Sequence, residues 1–588
     1  MPHIPPNFGF NASILLKFET ACALDILAKR RYEMFITAPG MTVGITRYEE
    51  TRLWQELAMD ITLVLHGHLY NGVSLRRVVD LYQTFGDDFA KELNGSFVLL
   101  LVDERRSKVV LATDRLASRK LYVRETGSAI EVSTRFRHLA KSQGLLDPVG
   151  LAWILSSGVP FRNRTVFRDV RRMARASYRC INATSSGSDQ AYWMPHYTGE
   201  YSGRPREHVR AEFAELLVQS VRKCVPWEGP VTLSLSAGYD ATGIGGILTE
   251  ILQARNVTSF SYGLEERQRG SDAQQTRRLA KTWGIRHRFL LSHDGRLGEA
   301  IERNAQWGDG LSNFCDESLA WQSLLDESDG KMIPILTGEE CFGWDKVEKP
   351  EEILTKCGIR TISQSNWMRE FLPPSTGAAF LAGQTEDVAD LLNVAPTTNE
   401  WNDIKDWIYQ DQRLCHFLLP WRENYAGCVF RVIMPYLEND ILDFVAKLPA
   451  LWRERKNLFK ESIVALLPKT FTVPRATHGG YVPDWAAEIA REKNWLVECH
   501  LSERTSPLDD YIPPESIRSL VSVLGQQSGR QAAWRDQLGS AARRLARKML
   551  GLPAASRPAF QVNASRFLLR YFVLRRFLEL VREDAASP

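Results

Sequence analysis

The N-terminal part of the chain alternates short apolar runs with polar residues, which is typical of strands in layered sheets. Between about residues 14 and 180, runs such as Ile61 to His68 and Phe97 to Val102 have the length and alternation of strands. Leu75 to Phe85, which lies between them, has the period of a helix. The pattern predicts an α+β domain of layered β-sheets and helices.

A different pattern, in which strands alternate with helices, begins after a weakly periodic stretch at Ala183 to Arg206 that we take as a linker. Glu207 to Val221 is amphipathic, and an apolar strand follows at Val231. The alternation continues through Val257 to Tyr262, Ala273 to Trp283 and Arg288 to Leu291. It predicts an α/β domain with a parallel sheet, whose ligands bind at the carboxyl ends of the strands.

Beyond Trp401 the apolar positions are mostly helical in period, and the last segment is locally basic. Its basic residues are Arg543, Arg544, Arg547, Lys548, Arg566, Arg570, Arg575 and Arg576. Such a segment is usually a solvated helix face, and the alternative is a surface that docks an acidic partner or peptide. We predict three parts, at residues 1–205, 206–530 and 531–588, the last a basic helical extension.

Composition limits the class of protein. The 588 residues exceed the roughly 250 to 300 at which one core stops growing, so several domains are expected. The net charge of +4 does not indicate nucleic acid binding. Nine cysteines without a Cys-x-x-Cys pair predict neither a disulfide scaffold nor a zinc site. With no apolar run of membrane-spanning length and no signal peptide in Met1 to Pro6, we expect a cytoplasmic protein without a membrane span.

The most informative stretch is Ser234 to Thr242, which lies between an apolar strand and a helix predicted at Gly243 to Gln253. Small residues at such a junction leave backbone N–H groups and the positive end of the helix dipole pointing at one spot, which suits a phosphate. Asp240 inside this loop is suited to hold Mg²⁺ against the oxygens of a pyrophosphate. A plain strand-to-helix turn is the alternative for these residues alone.

Two later segments carry further charged residues: Thr337-Gly338-Glu339-Glu340 after an apolar strand, and Arg455-Lys456 before a helix predicted at Asn457 to Leu467. Paired carboxylates at the carboxyl end of a strand suit a metal ion. Taken alone, the basic pair is an exposed helix start.

Together and in this order, the three segments resemble the synthetase domain of the asparagine synthetase superfamily. The match to its Ser-Gly-Gly-x-Asp-Ser-Ser loop consists of Ser236, Gly238, Asp240 and Thr242. Phe260 to Gly263 is similar to the Phe-Ser-Val-Gly strand that lines the adenine, with Asp272 soon after it, and Glu339 to Gly343 resembles the Asp-Glu-x-Phe-Gly segment. Arg431 to Leu437 is similar to the Arg-Val-Pro-Phe-Leu stretch, and Lys456 falls on the catalytic lysine.

Upstream, Gly67 to Asn71, Leu93 to Phe97 and Asp114 to Tyr122 resemble the glutaminase-type domain that precedes the synthetase domain in this family. The resemblance implies an Ntn-hydrolase-like domain of layered β-sheets with helices. It also implies a synthetase domain with a parallel sheet of the adenine nucleotide α-hydrolase type and a helical C-terminal part.

Departures from the family pattern carry information as well. Glutaminases of this type use an N-terminal cysteine whose own amine is the base, whereas residue 2 is Pro2 and the first cysteine is Cys22. Where the family has its glutamine-binding Asn-Gly-Glu segment, this chain has His66-Gly67-His68. The alternation of residues along the strand favours a structural role for the two histidines, and metal ligation is the alternative. We therefore expect an inactive glutaminase-like domain. In the synthetase half, Ala237 and Ala241 replace a glycine and a serine, and a Glu-Gly-Ala piece before the acidic pair is missing.

The resemblance implies ATP and Mg²⁺ as cofactors and activation of a carboxylate as an acyl adenylate. The residues that would bind the nucleotide are Leu235, Ser236, Gly238, Asp240, Thr242, Tyr262, Thr337 and Gly338. Asp240 and Glu339 would hold the metal ion, and Lys456 would stabilise developing negative charge. A base must also accept the proton of the amine, for which Glu340 is the candidate.

Without a glutaminase the amine must come from elsewhere, as it does from within the substrate in β-lactam synthetases and in the macrolactam synthetases of lasso peptide pathways. Ordering a dozen peptide residues costs about 12 to 24 kcal/mol of backbone entropy, so a peptide cyclase needs an extended binding surface. The insert Lys346 to Glu400 and the basic tail are suited to provide one. The favoured function is a lasso peptide macrolactam cyclase of antibiotic biosynthesis, acting on a precursor peptide beside a leader-peptide-processing protease. Alternatives are an ammonia-dependent asparagine synthetase, a β-lactam synthetase-like enzyme, a non-catalytic peptide-binding relative and a nucleotide-binding RNA-modifying enzyme.

Overall fold

The computed structural model describes residues 8–16, 32–48, 51–56, 60–127, 129–141, 144–225, 229–329, 331–398, 400–428, 430–502, 506–535 and 563–586. The predictions for Met1 to Pro6, Cys22, Arg543, Arg544, Arg547 and Lys548 lie outside these residues. No helix in these ranges has both the length and the apolar character needed to cross a membrane.

The N-terminal part contains two six-stranded antiparallel sheets. The first has the order Val170–Arg172, Tyr122–Thr126, Ala129–Ser133, Phe10–Leu16, Met41–Arg47 and Met34–Ala38. The second has the order Gln190–Ala191, Ser177–Asn182, Lys108–Thr113, Gly95–Asp103, Ile61–Leu69 and Thr51–Glu56. Alternate residues of each strand face opposite sides, so Val64 and Val98 pack on the first sheet, whereas Leu63 and Leu65 pack on helix Leu75–Phe85.

The C-terminal half is built on a five-stranded parallel sheet. Its strands occur in the order Arg286–Leu291, Val257–Gly263, Val231–Ser234, Pro334–Leu336 and Arg431–Ile433. The last strand lies in the region predicted to be helical, and its three residues are too short to give a period. The antiparallel sheets, the parallel sheet and the helical C-terminal part confirm the predicted fold class.

Helices cover both halves of the molecule. In the N-terminal half the helices are Leu75–Phe85, Phe136–Leu139 and Pro148–Ser157. Around the parallel sheet they are Arg206–Cys224, Tyr239–Gly246, Asp272–Trp283, Leu297–Trp307 and Ser318–Glu327. The later helices are Ile353–Lys356, Asn366–Phe371, Pro374–Val394, Trp401–Ile408, Leu419–Arg422, Asn439–Lys447, Ala450–Arg453, Asn457–Leu466, Trp485–Arg491, Lys493–His500, Pro514–Arg535 and Ala564–Ala586.

Residues 401–427 form one continuous helix in which α and π turns alternate. The α turns are Trp401–Ile408 and Leu419–Arg422, and the π turns are Tyr409–Leu418 and Glu423–Gly427. Pro420 lies inside this helix, where it cannot donate the usual backbone hydrogen bond. Such π turns are rare, and they frequently occur at functional sites.

The C-terminal helix Ala564–Ala586 corrects both interpretations of the basic segment for the four arginines that it contains, Arg566, Arg570, Arg575 and Arg576. Its apolar residues, including Phe567 and Phe572, belong to a core shared with helices 148–157, 297–307 and 514–535. Its arginines are used internally: Arg566 pairs with Asp316 at 2.7 Å, and Arg575 is 1% exposed and pairs with Asp509. Neither a solvated face nor a docking surface describes this helix, because its cations have carboxylate and carbonyl partners inside the molecule.

Buried ion pairs join the N-terminal half to the synthetase half. The Arg135 guanidinium donates to Asp309 at 2.7 and 3.1 Å, and both side chains are buried. Lys120 lies 3.4 Å from Glu423, each 1% exposed. Burial alone would raise the pKa of Asp309, but the Arg135 guanidinium lowers it below its usual value.

We expect Asp309→Asn to lower the free energy of unfolding by about 3 to 5 kcal/mol, because it leaves the Arg135 guanidinium buried without a counter-charge. The lowered pKa of Asp309 stabilises the fold above the unfolded-state value of about 4, and this stability is lost as the pH falls through the folded-state pKa. Urea titrations across acidic pH should therefore show a shallower acid loss in the variant.

The matched control is Asp60→Asn, which removes the exposed Arg105 pair and should cost less than about 1 kcal/mol. Equal effects of the two substitutions would contradict the assigned importance of the buried pair.

Candidate active site

A cavity of about 310 Å³ opens where the central strands of the parallel sheet end. Leu233 pairs with both Ser259 and Leu336, so three strands deliver their following residues to one place. The lining residues are Ser234, Leu235, Ser236, Asp240, Ala241, Ser261, Tyr262, Asp272, Thr337, Gly338, Glu339, Trp421, Arg422 and Tyr481. The cavity therefore has the position expected of a ligand site in a parallel α/β sheet.

The predicted phosphate loop is shorter than the sequence indicated. The strand ends at Ser234 and the helix begins at Tyr239, four residues before the predicted start, so Asp240 lies in the first helical turn. Glycines at 243, 245 and 246 disfavour a helix locally, which explains the misplaced boundary, but tertiary packing overrides that preference. Asp240 thus points from a helix N-terminus, where a negative side chain is favoured.

Side-chain hydrogen bonds hold the loop at both ends. The Thr242 hydroxyl donates to the Ser236 carbonyl at 3.1 Å, and the Ala237 backbone N–H donates to Asp272 at 2.9 Å. Arg475 also donates to the Thr242 hydroxyl, at 3.1 Å. The loop is therefore fixed before any ligand binds.

Gly338 lets the next strand end approach this helix closely. A Cβ atom at this position would lie 2.8 Å from the backbone nitrogen of Ala241. Only glycine leaves the room, which explains why Thr337-Gly338 and Asp240 share one cavity.

Lys456 reaches the cavity from the end of a left-handed turn. Arg455 and Lys456 have φ values of 49° and 61°, which turn the chain immediately before helix Asn457–Leu466. The Lys456 ammonium lies 2.9 Å from Asp240 Oδ2 and 2.8 Å from Glu340 Oε1. Burial alone would lower the pKa of Lys456, but the two carboxylates raise it overall, so the side chain stays charged.

Glu340 is buried, with a partner on each oxygen. Oε1 faces Lys456, and Oε2 accepts a hydrogen bond of 2.6 Å from the Phe342 backbone N–H. Burial raises the pKa of Glu340, and Lys456 partly opposes that rise. The contact with Glu340 holds the Lys456 ammonium in place, and the role of Glu340 as the base stays a prediction.

Glu339 points the other way and pairs with Arg422. Arg422 Nε and one terminal nitrogen lie 2.8 and 2.7 Å from Glu339 Oε1. The guanidinium is 5.4 Å from the ring centroid of Trp321 and 5.0 Å from that of Trp421. Arg422 is held against these aromatic rings at one side of the cavity.

Two carboxylate oxygens of the cavity fit a divalent cation. Asp240 Oδ1 and Glu339 Oε2 are buried and have no hydrogen-bond partner among the described residues. In that part of the chain no cluster of three or more His, Cys, Asp or Glu residues is placed to bind a metal ion. Two carboxylates without a complete cage suit Mg²⁺, which is usually bound through one or two carboxylates together with substrate phosphates and water.

Most of the predicted nucleotide residues lie in the cavity, and sequence reasoning missed several others. Gly238 and Thr242 are next to the lining residues and shape the loop. The lining residues missed at the sequence level are Trp421 and Tyr481, and Arg475, which donates to Thr242 of the loop, was missed as well. Tyr481 packs edge-on against Tyr262 at 5.5 Å, and it comes from a loop with no periodic pattern that could have indicated it.

Glu317 is a titratable group just behind the cavity. It is fully buried, and neither carboxylate oxygen has a hydrogen-bond partner among the described residues. Burial raises the pKa of Glu317 to about 7, and Arg422 acts in the opposite direction. The charge behind the cavity wall therefore changes near neutral pH.

His66 and His68 are enclosed at the junction of the two halves. His66 packs on Phe8 at 5.6 Å and lies 3.9 Å from Glu423, and His68 packs on Tyr70 at 5.4 Å. Burial lowers the pKa of both imidazoles, with Arg119 adding to the effect. Neutral rings packed on aromatic neighbours favour the structural role over metal ligation.

Comparison with known families matches two parts of the chain. Residues 55–193 match a glutamine amidotransferase domain, and residues 212–332 match asparagine synthase. Asparagine synthetase [glutamine-hydrolyzing] 3 of Bacillus subtilis (strain 168) is 20% identical over 79% of this chain and 84% of its own length. Amidase chyE of Penicillium rubens is 21% identical over 39% of this chain and 36% of its own. Asparagine synthetase [glutamine-hydrolyzing] 2 of Bacillus subtilis (strain 168) is 24% identical over 41% of this chain and 34% of its own length.

These similarities cover unequal shares of the relatives. The chain spans only 26% to 36% of the length of three curated relatives that it matches. The two matched regions follow one another in the chain. Residues 55–193 include three strands of the first antiparallel sheet and five of the second, and residues 212–332 include three of the five strands of the parallel sheet.

We expect Lys456→Met to destabilise the protein by about 3 kcal/mol, because it leaves the buried Glu340 carboxylate without its counter-charge and next to the half-buried Asp240. Added Mg²⁺ should then raise the melting temperature of the variant more than that of the unchanged protein, since the cation replaces the lost charge. Differential scanning fluorimetry with Mg²⁺ or a chelator measures this.

Lys460→Met is the control, because this lysine faces the Tyr239 ring at 5.4 Å and pairs with neither carboxylate. An identical Mg²⁺ response of all three proteins would contradict a cation site between these carboxylates.

Proposed function

We propose that this chain, which belongs to the asparagine synthetase superfamily, is an ATP-dependent carbon–nitrogen ligase that activates a carboxylate and joins it to an amine. The observation that carries the proposal is the position of Lys456. Its ammonium lies 2.9 Å from the carboxylate of Asp240, and Asp240 is in the first turn of the helix that follows the phosphate-type loop.

In the proposed reaction, a substrate carboxylate oxygen attacks the α-phosphorus of ATP, and the bond to the bridging oxygen breaks so that pyrophosphate leaves. The amine then attacks the acyl carbon, AMP leaves with the electron pair of the broken carbon–oxygen bond, and the amine loses its proton to a base, for which Glu340 is the candidate. Backbone N–H groups of residues 235–238 and the start of helix Tyr239–Gly246 would bind the pyrophosphate. Tyr262, with Tyr481 packed edge-on against it, would bind the adenine.

Lys456 supplies a fixed positive charge where oxygen charge develops. Because Glu340 and Asp240 hold its ammonium in place, the charge needs no reorganisation during the reaction. Mg²⁺, when bound between Asp240 and Glu339, would neutralise the phosphate oxygens. Arg422 contacts Glu339 and faces the same cavity, where it would orient a carboxylate substrate.

The source of the amine is the second part of the proposal. The segment that stands in place of the glutamine-binding Asn-Gly-Glu is His66-Gly67-His68, in which His66 packs on the Phe8 ring at 5.6 Å and His68 packs on the Tyr70 ring at 5.4 Å. This packing supports an inactive glutaminase-like domain. The amine would then belong to the substrate itself, as in a lasso peptide macrolactam cyclase acting on a precursor peptide in the cytoplasm.

An ammonia-dependent small-molecule synthetase is the second candidate. The observation that favours it is the similarity to an asparagine synthetase, which aligns with 79% of this chain at 20% identity. A larger substrate is favoured by the insert 346–400, whose helices pack beside the catalytic half and add surface to it.

The first test is to incubate the purified protein with ATP, Mg²⁺ and a candidate core peptide with a free amine, and to measure loss of one water by mass spectrometry. We expect a dehydrated, protease-resistant product together with AMP and pyrophosphate. Lys456→Ala should reduce the rate by about 10² to 10³, because it removes a charge that acts mainly on the transition state.

Aspartate plus ammonia is the parallel substrate. Formation of asparagine without any peptide dehydration would replace the cyclase with a small-molecule synthetase. ATP that is bound but never converted, with either substrate class, would instead support a non-catalytic relative.

A further inference from the structure

The outer face of helix Asp272–Trp283 borders a groove that no step of the proposed reaction uses. Its volume is about 750 Å³, more than twice that of the cavity at the candidate active site. The described residues that line it are Glu266, Arg267, Gln274, Arg277, Arg278, Ala280, Lys281, Ile285 and His287. Ligand sites commonly have volumes of roughly 300 to 1,000 Å³, so the groove has room for a ligand.

Cations dominate the charge of this groove. Arg267, Arg277, Arg278 and Lys281 are exposed, and Glu266 is the one acidic residue among the described residues of the lining. Glu266 lies 3.9 Å from Arg277. No carboxylate of the described residues is at ion-pair distance from Arg267, Arg278 or Lys281. Four cations against one carboxylate leave the groove with an excess of three positive charges.

Several exposed arginines on other faces of the molecule have carboxylate partners. Examples are the pairs Arg76–Asp80 at 3.0 Å, Arg105–Asp60 at 2.8 Å and Arg204–Glu212 at 2.6 Å. In the C-terminal helix, Arg566 and Arg575 pair with carboxylates of the same chain. The groove differs from these surfaces because its positive charge is left uncompensated.

The helix carries these cations despite their mutual repulsion. Lys281 follows Arg277 by four residues and Arg278 by three, and like charges at these spacings destabilise a helix. Caps at both ends oppose that effect: the Ser271 hydroxyl accepts a backbone N–H of the first turn at 3.2 Å, and Gly284 ends the helix with a φ of 68°. The three cations therefore stay on one face of a formed helix, where they can pair with an anion.

The lining combines this charge with apolar surface. Ala280 is buried and Ile285 is half-buried, and both border the groove. His287 adds no charge, because burial and then the Arg277 guanidinium lower its pKa to about 4, and its ring contacts the Ser259 hydroxyl at 2.9 Å. A ligand that complements the groove carries carboxylates next to apolar side chains.

An acidic peptide fits this lining better than a nucleic acid does. Guanidinium groups bind carboxylates through two parallel hydrogen bonds, and arginine clusters are a recurring means of recognising acidic motifs. Proteins that bind single-stranded nucleic acids also provide aromatic rings on which the bases stack. The described residues of the lining include no Phe, Tyr or Trp.

We propose that this groove binds an acidic peptide segment of a partner chain. Carboxylates of the segment pair with Arg267, Arg277 and Arg278, and an apolar side chain of the segment packs on Ile285. The proposal goes beyond the ligase reaction and does not depend on it, because the groove and the candidate active site have no described lining residue in common.

Fluorescence anisotropy tests the proposal on the full-length protein. The probe is a fluorescein-labelled decapeptide of alternating Glu and Leu, in about 0.15 M salt. We expect saturable binding of this probe, and we expect the same peptide with Gln in place of Glu to bind about tenfold more weakly, because it lacks the carboxylates. Arg277→Glu combined with Arg278→Glu should weaken binding of the acidic probe by about tenfold or more.

Arg105→Glu combined with Arg204→Glu is the matched control, because it changes the net charge equally at exposed arginines outside the groove. The control should leave binding of the probe unchanged. Arg277→Gln combined with Arg278→Gln relieves the repulsion on the helix, so it should keep the melting temperature of the unchanged protein and still bind the probe about tenfold more weakly. Equal losses of affinity in the groove variants and in the control would overturn the groove as the site.

Other occupants of the groove give different results. A labelled uridine decanucleotide that binds more tightly than the acidic peptide, and is lost in the groove variants, would assign the groove to a nucleic acid. Self-association in sedimentation velocity that the groove variants abolish would assign it to a second copy of this chain. Either result overturns the proposal, as does the absence of binding of the acidic probe.

Asp240→Asn separates the groove from the proposed reaction. This variant should bind the acidic probe as the unchanged protein does, because Asp240 lines the cavity and not the groove. Loss of probe binding in Asp240→Asn would contradict the independence of the two sites, whereas failure of the ligase reaction would leave the groove to be decided by the probe.

Discussion

The contact of one ammonium with two carboxylates organises the catalytic half of this chain. Lys456 joins Asp240, 216 positions earlier in the chain, to Glu340 at the end of the neighbouring strand. Glu340 is buried and the other two side chains are half-buried, so each charge is stabilised by its partner, and a buried charge without a partner costs several kcal/mol. The glycine at 338, the left-handed turn at 455–456 and the short loop before Tyr239 all serve to bring these groups together.

The helix of residues 401–427 connects this site to the rest of the molecule. Arg422 faces the cavity, whereas the adjacent Glu423 faces Lys120 of the N-terminal half. Arg413 on the same helix stacks on the Phe417 ring at 4.1 Å. Because π turns change which residues share a face of a helix, the alternation of α and π turns decides which side chains reach the cavity and which reach the N-terminal half. The N-terminal half thereby helps to position the catalytic half through buried charges.

Sequence patterns predicted the elements with strong periodicity or alternation. Leu75–Phe85 and the strand at Val257 have regular apolar spacing and were placed within one or two residues. The helix start at Tyr239 and the strand Arg431–Ile433 were not predicted, since a glycine-rich helix and a three-residue strand have weak local signals. The arginines of the C-terminal helix were misjudged because their carboxylate partners, Asp316 and Asp509, are remote in the chain.

By itself, the sequence determined the fold class, the order of the two halves and the small set of residues around Asp240, Glu339 and Lys456, because period, strand ends and motif order are local properties. The tertiary structure alone decided how those charges are shared. It pairs Glu340 with Lys456 and Glu339 with Arg422. Such pairings depend on distances between segments far apart in the chain, which no local pattern encodes.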